Sequence, residues 1–175
     1  MGRDKAWLVV GGRPLLARQI ELVRELGAAE IFVSGRPGKD YSEFKQPVLR
    51  DNFPDAGPLA GIESALAVTH LPLLLVLAVD LPEMSADFLR RLAACCSETC
   101  GAVPKLAKGI EPLAAFYPKV AYPLARASLE RGDFAVKDFA GQCAQSGLVR
   151  FIEPAEDEVH YFNNWNSPQD LPCMT

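Results

Sequence analysis

The chain has 175 residues, 49% hydrophobic and 23% charged, with a formal net charge of −4. That is enough for one well-packed domain and too little for two ordinary ones. The excess of acid argues against nonspecific binding to nucleic acid or to an anionic membrane. The longest apolar stretch, Leu71 to Val79, falls well short of the roughly 20 residues that cross a bilayer. No basic region followed by an apolar segment opens the chain, so no secretory signal is evident and cytoplasm is the expected location.

In chain order, an apolar run from Trp7 to Val10 meets a turn at Gly11-Gly12. Pro14 then suits a helix start, Leu16, Ile20 and Val23 recur at helical spacing, and Gly27 stops the helix. Ile31 to Val33 reads as a short buried strand leading into the turn-rich loop Ser34 to Gly38, and Val48-Leu49 as a second, ending at Asp51. The segment Asp51 to Gly61 reads as mostly loop, and a helix follows from about Pro58 to Thr69. Leu73 to Val79 is apolar at every position, the pattern of a central parallel strand covered by helices on both sides. It ends at Asp80-Leu81-Pro82, and Ser85 can cap the next helix, to Cys95. Strands are expected at Gly101 to Pro104, Pro112 to Phe116 and Leu148 to Ile152, helices at Tyr122 to Leu129 and Phe134 to Phe139, and a last helical turn from Pro168.

Strands alternate with helices through the first half, which predicts a single α/β domain of three α/β/α layers around a mostly parallel sheet. Ligands of such sheets bind beyond the carboxyl ends of the strands. Asp51 and Asp80 both fall at predicted strand ends. A carboxylate at Asp80, held by a rigid strand, can take Mg²⁺, which favours carboxylates, phosphate oxygens and water; the plainer alternative is an acidic turn cap. In Gly57-Pro58-Leu59-Ala60-Gly61, a glycine that permits close approach meets a proline-started helix whose amides and dipole attract anions; the alternative is an N-cap and a small packing residue. Lys5, in a Gly-Arg-Asp-Lys run, could neutralise phosphate charge or be only a frayed basic terminus. Asn163, Asn164 and Asn166 could orient a ligand or serve as turn caps. Cys95, Cys96, Cys100, Cys143 and Cys173 lack a usual zinc spacing and neither histidine lies near them, so reduced thiols are expected. The glycine fingerprint of dinucleotide binding, the phosphate loop of ATPases and a nucleophile elbow are absent.

Together these segments resemble the molybdenum cofactor guanylyltransferase family. Met1-Gly2-Arg3-Asp4-Lys5-Ala6 is similar to the end of its signature loop, and Gly11 to Leu16, Val33 to Arg36, Pro54 to Ile62, Val79 to Pro82, Glu111 to Tyr117 and Phe162 to Leu171 continue the likeness in the family's order. The resemblance implies a Rossmann-like fold of the nucleotide-sugar-transferase kind. It implies transfer of GMP from GTP to molybdopterin carrying molybdenum, with release of diphosphate and with magnesium as cofactor. Lys5 would contact the GTP phosphates and Asp80 would hold Mg²⁺. Asp51, Gly57, Pro58, Leu59 and Gly61 would help bind the nucleotide, with Ser34 where relatives often carry Asn. Asn164 and Asn166 match an Asn-x-Asn-Thr-Pro motif, here with Ser167 for Thr and a bulky Trp165 between. Family members begin with an apolar strand and a Leu-Ala-Gly-Gly loop ahead of this Met-Gly, so the resemblance implies a chain incomplete at its N-terminus. The same chemistry with CTP, or a noncatalytic nucleotide-binding assembly protein, are the competing expectations. The partners implied are GTP, the pterin and proteins that deliver or accept the cofactor, with no nucleic acid and no membrane.

Overall fold

Three short turns of helix aside, the elements run β1 (Val9–Val10), β2 (Arg13–Pro14), α1 (Leu15–Glu25), β3 (Val33–Ser34), β4 (Val48–Leu49), α2 (Pro58–Val68), β5 (Leu73–Leu77), α3 (Ala86–Ala94), β6 (Gly101–Leu106), β7 (Gly109–Ile110), β8 (Ala114–Pro118), α4 (Tyr122–Glu130), α5 (Val136–Gln145) and β9 (Val149–Ile152), with a longer 3-10 segment, Glu156–Phe162, after them. They are taken from a computed structural model that describes residues 4–36 and 38–164.

Two apolar clusters on opposite faces of the main sheet set the layers. On one face, Leu59, Ile62 and Leu66 of α2, Ala125 and Leu129 of α4 and Phe139 and Cys143 of α5 pack with Val103, Ala115 and Tyr117, and with Leu74 and Val76 of β5. On the other, Phe88, Leu89 and Leu92 of α3 pack with Ala102 and Ala114, and with Leu75 and Leu77 of β5. Each large apolar side chain buried this way stabilises the fold by roughly 1.5–3 kcal/mol. Successive β5 residues thus enter opposite cores, which is why the strand shows no polar alternation. The expected three-layer α/β/α arrangement is present.

The sheet itself is mixed, not mostly parallel. β3 with β4 and β6 with β9 are parallel, whereas β5 with β8, β6 with β8, β6 with β7 and β1 with β2 are antiparallel. The second half of the chain returns through β8, inserted between β5 and β6. The expectation of a central β5 is corrected by the same pairing: β5 ends its row, and among the described residues its second edge is unpaired. Its apolar run reports helices on both faces, not strands on both sides. Ala78 donates to the carbonyl of Leu113 and Lys119 to that of Pro72, each at 2.7 Å. Antiparallel alternation then turns the amides of Leu74 and Val76 toward β8 and those of Leu73, Leu75 and Leu77 toward the open edge. Pro118 stands opposite Leu73, a non-bonded position where its missing N–H removes no ladder bond.

Other differences are local. The predicted strand at Ile31 to Val33 is displaced to Val33–Ser34, and the helix predicted over Phe134 to Phe139 is Val136–Gln145, leaving Phe134 46% exposed. β6 runs through Pro104 and turns back as β7. The helical turn expected from Pro168 lies outside the described residues.

A third cluster, Ala6, Ile20, Val33, Tyr41 and Phe44, fastens the N-terminal turn and α1 to β3. It brings the Lys5 turn to the carboxyl end of that strand.

Candidate active site

Asp80 lies three residues beyond β5, in a turn. The turn is clamped from two sides. Ala78 donates to the carbonyl of Leu113, just ahead of β8, and Leu81, 2% exposed, enters the α3 core while its carbonyl accepts from the buried Gln19 side chain of α1 at 2.7 Å. The Lys5 ammonium reaches the Asp80 carboxylate at 2.8 Å, with the two side chains 33% and 23% exposed. The pair is half-buried and open to one side.

Lys5 is aimed by a chain of contacts. Asp4 caps the 3-10 turn Lys5–Trp7, one carboxylate oxygen accepting from the Ala6 amide at 3.1 Å. The other oxygen accepts from the Tyr41 hydroxyl at 2.6 Å, and that hydroxyl accepts from the Arg36 amide at 3.2 Å. Burial, then the bond to Asp4, pushes the Tyr41 phenol above its ordinary range. Asp4, Gln19 and Tyr41 were not singled out from sequence: each acts through a partner 5 to 62 positions away, or at a cap indistinguishable from ordinary polar surface.

The second group gathers where β3, β4 and α2 meet. Gly57 caps α2 with φ 69° and ψ −158°, a region essentially reserved to glycine, and Pro58 takes the first helical position. Leu59 is wholly buried, so its side chain belongs to the core and only its backbone is left to the helix start. Gly61 permits a close approach: a Cβ there would lie 2.2 Å from Ser34 Oγ and 3.9 Å from Asp51 Oδ1. Ser34 and Asp51 therefore both flank the first turns of α2. Burial, then the charge of Glu63, raises the Asp51 carboxyl above its ordinary value.

Glu63 is fully buried, with one oxygen accepting from Asn52 Nδ2 at 3.0 Å. It too was passed over, although a carboxylate in the run Leu59 to Leu66, every residue of which is buried, is visible in the sequence. At the C-terminal side, Asn163 donates to Glu83, three residues past Asp80, at 3.4 Å. This ties the exposed Asn164 to the Asp80 loop. Asn166, Trp165 and Ser167 lie outside the described residues.

Lys5 and Asp80 are thus brought together directly. Ser34 and Asp51 are brought together beside Gly61 of α2, and the two groups are linked through the cluster that holds both Ala6 and Val33. Among the described residues no three His, Cys, Asp or Glu side chains gather as a metal cage. Cys95, Cys96, Cys100 and Cys143 are free thiols, Cys96 pushed up to about 11 by burial.

The sequence matches the MobA-like NTP transferase domain over residues 1–145. The chain belongs to that family. It is 36% identical over 173 residues to the probable molybdenum cofactor guanylyltransferase of Opitutus terrae, covering 97% of this chain and 86% of that one. The probable molybdenum cofactor guanylyltransferase of Carboxydothermus hydrogenoformans is 30% identical at the same coverage. Among solved structures, molybdopterin-guanine dinucleotide biosynthesis protein A of Archaeoglobus fulgidus superposes with a TM-score of 0.71 at 23% identity, over 97% of this chain and 87% of that one. The 2-C-methyl-D-erythritol 4-phosphate cytidylyltransferase of Thermus thermophilus gives 0.73 at 22%, over 95% and 89%. These structural likenesses speak for the fold; the family match makes the chain a MobA-like nucleotidyltransferase. Among the described residues no helix is long and apolar enough to cross a membrane.

Proposed function

We propose that this chain transfers GMP from GTP to molybdopterin carrying molybdenum. A terminal phosphate oxygen of the pterin attacks the α-phosphorus, the bond from that phosphorus to the bridging oxygen breaks, and diphosphate leaves. A phosphate nucleophile is already anionic, so the protein's part is positioning and electrostatics more than proton transfer. The observation that carries the reading is the Lys5–Asp80 contact at 2.8 Å in the clamped turn beyond β5. A cation and a carboxylate held there suit a triphosphate and its metal. The relatives named as guanylyltransferases support the choice of GTP.

The donor set fits Mg²⁺: one partly exposed carboxylate, Asp80, leaves the other positions to phosphate oxygens and water, as this ion prefers. When bound it would supply charge neutralisation on the phosphates. Lys5 offsets charge on the departing diphosphate. The first turn of α2 receives anionic or polar atoms of the nucleotide. Ser34 and Asp51, against Gly61, hold the nucleoside side, and Asn164 borders the site from the C-terminal segment.

Incubation with Mg²⁺, molybdate-loaded molybdopterin and either GTP or CTP, followed by chromatography of the pterin products, tests the reading. Guanine dinucleotide with stoichiometric diphosphate is expected. Cytosine dinucleotide would transfer the assignment to CTP, and nucleotide binding without either product would leave an assembly protein.

A further inference from the structure

The inward stripe of α1 carries Leu15, Leu22 and Leu26 at helical spacing. Leu22 and Leu26 pack against the core that contains Leu81. Gln19 falls in the same stripe and is 6% exposed. A leucine or methionine there would bury more apolar surface, whereas a buried amide has to be matched by a partner. The partner is the Leu81 carbonyl, at 2.7 Å from Gln19 Nε2. A carbonyl oxygen only accepts, so the contacting atom of the glutamine is its amide nitrogen.

The Leu81 carbonyl does not need Gln19 for its own satisfaction. It also accepts from the Met84 amide at 3.2 Å, inside the turn. What the Gln19 bond adds is a tie between that turn and α1. The same helix seats the Lys5 turn: Ile20, next to Gln19, packs with Ala6, and Leu16 and Ala17 lie against that cluster. The Leu15 amide also donates to the Leu8 carbonyl at 2.8 Å. Each member of the Lys5–Asp80 pair is thus followed by a buried residue that α1 holds, Ala6 after Lys5 and Leu81 after Asp80.

We propose that Gln19 is a positioning residue: its amide ties the Leu81 carbonyl to the helix that seats the Lys5 turn, and so sets the Asp80 carboxylate against the Lys5 ammonium. The amide is neutral and touches neither charged group. Removing it changes no charge at the site, and its effect passes through geometry alone. The consequence for transfer rests on the nucleotidyl-transfer reading; the setting of the pair does not.

The test has two arms and two variants. Q19M keeps the length of the side chain and removes the donor, and Q19N keeps the amide but draws it back by one methylene. In the first arm, ¹⁵N NMR of the lysine ammonium groups in nucleotide-free protein, at low temperature where their protons exchange slowly, reports how firmly Lys5 is held. K5R assigns the resonance and D80N gives the state without the pair. In both Gln19 variants the Lys5 ammonium is expected to move toward its D80N shift and mobility. A Gln19 that only fills the core lowers stability in urea unfolding and leaves the Lys5 signal as in the wild type, and that result overturns the proposal; Q19N decides the point if Q19M fails to fold. In the second arm, initial rates with GTP, Mg²⁺ and loaded pterin are expected to show kcat lower by roughly 10- to 100-fold, the effect of a small misplacement. The Mg²⁺ needed for half the maximal rate should rise, with a smaller change in KM for GTP. A kcat and Mg²⁺ dependence equal to those of the wild type overturn the positioning role. A wild type that transfers no nucleotide, with the Lys5 signal loosened in the variants as expected, overturns the nucleotidyl-transfer reading and leaves the setting of the pair in place.

Discussion

At Tyr41 a single hydroxyl joins three segments, accepting from the Arg36 amide and donating to Asp4, whose other oxygen caps the turn that carries Lys5. Tyr41→Phe keeps the ring in its cluster and strands two polar groups. We expect a loss of about 1–3 kcal/mol in urea unfolding and a drop in turnover larger than any change in KM, because the Lys5 ammonium loses its fixed direction. Unchanged stability would show that the hydroxyl is replaced by water at no cost. Asp51 sets a second expectation. Its folded-state carboxyl is raised above the ordinary 3.8, so its stabilising contribution is complete below that value and is lost as pH rises through the raised one. The difference in melting temperature between wild type and Asp51→Asn should therefore shrink across this acidic window as pH rises. A constant difference would contradict the raised value. Of the residues at this scale, Lys5, Asp51 and Asp80 were legible as polar groups at turns and strand ends. Tyr41, Gln19 and Glu63 were not, since their importance comes from partners that only the folded chain supplies.

The first turns of α2 work as an element because of what they leave out. Gly61 lets Ser34 lie against the helix, and a Cβ there would meet Ser34 Oγ at 2.2 Å. Ser34 is exposed and can move, so Gly61→Ala should fold with a loss of about 1–3 kcal/mol and a several-fold higher KM for the nucleotide. Calorimetry and initial rates check this, and an unchanged KM would remove Ser34 from the nucleoside side. β5 offers a measurement of the sheet itself. Amides of Leu74 and Val76 should exchange with solvent deuterium far more slowly than those of Leu73, Leu75 and Leu77, which face the open edge. Equal protection along the strand would contradict that edge. The apolar run of β5 was readable as a strand with two covered faces. Its place in the row was not, because apolar pattern reports what lies above and below a strand, while neighbours along the sheet depend on pairing with the distant β8. The same holds for the antiparallel pairs that make the sheet mixed: nothing in the local sequence of β8 states which way its partners run.

For the molecule as a whole, two cores on opposite faces of the sheet and a third cluster under the N-terminal turn hold the Lys5–Asp80 pair in a half-buried opening. The layered fold and the family were legible from alternating elements and from motifs in order along the chain. The central claim is that this pair serves metal-assisted nucleotidyl transfer. The most direct test is Mg²⁺-dependent turnover of GTP with the loaded pterin by wild type and Asp80→Asn, each matched to its melting curve. The substitution is nearly isosteric and Asn caps a turn about as well as Asp, so the fold should survive with a shift of no more than about 1 kcal/mol. Turnover should fall by roughly 100-fold or more, since the charge proposed to hold the metal against the phosphates is gone. Near-wild-type turnover with an unaltered Mg²⁺ dependence would remove Asp80 from the chemistry and contradict the account.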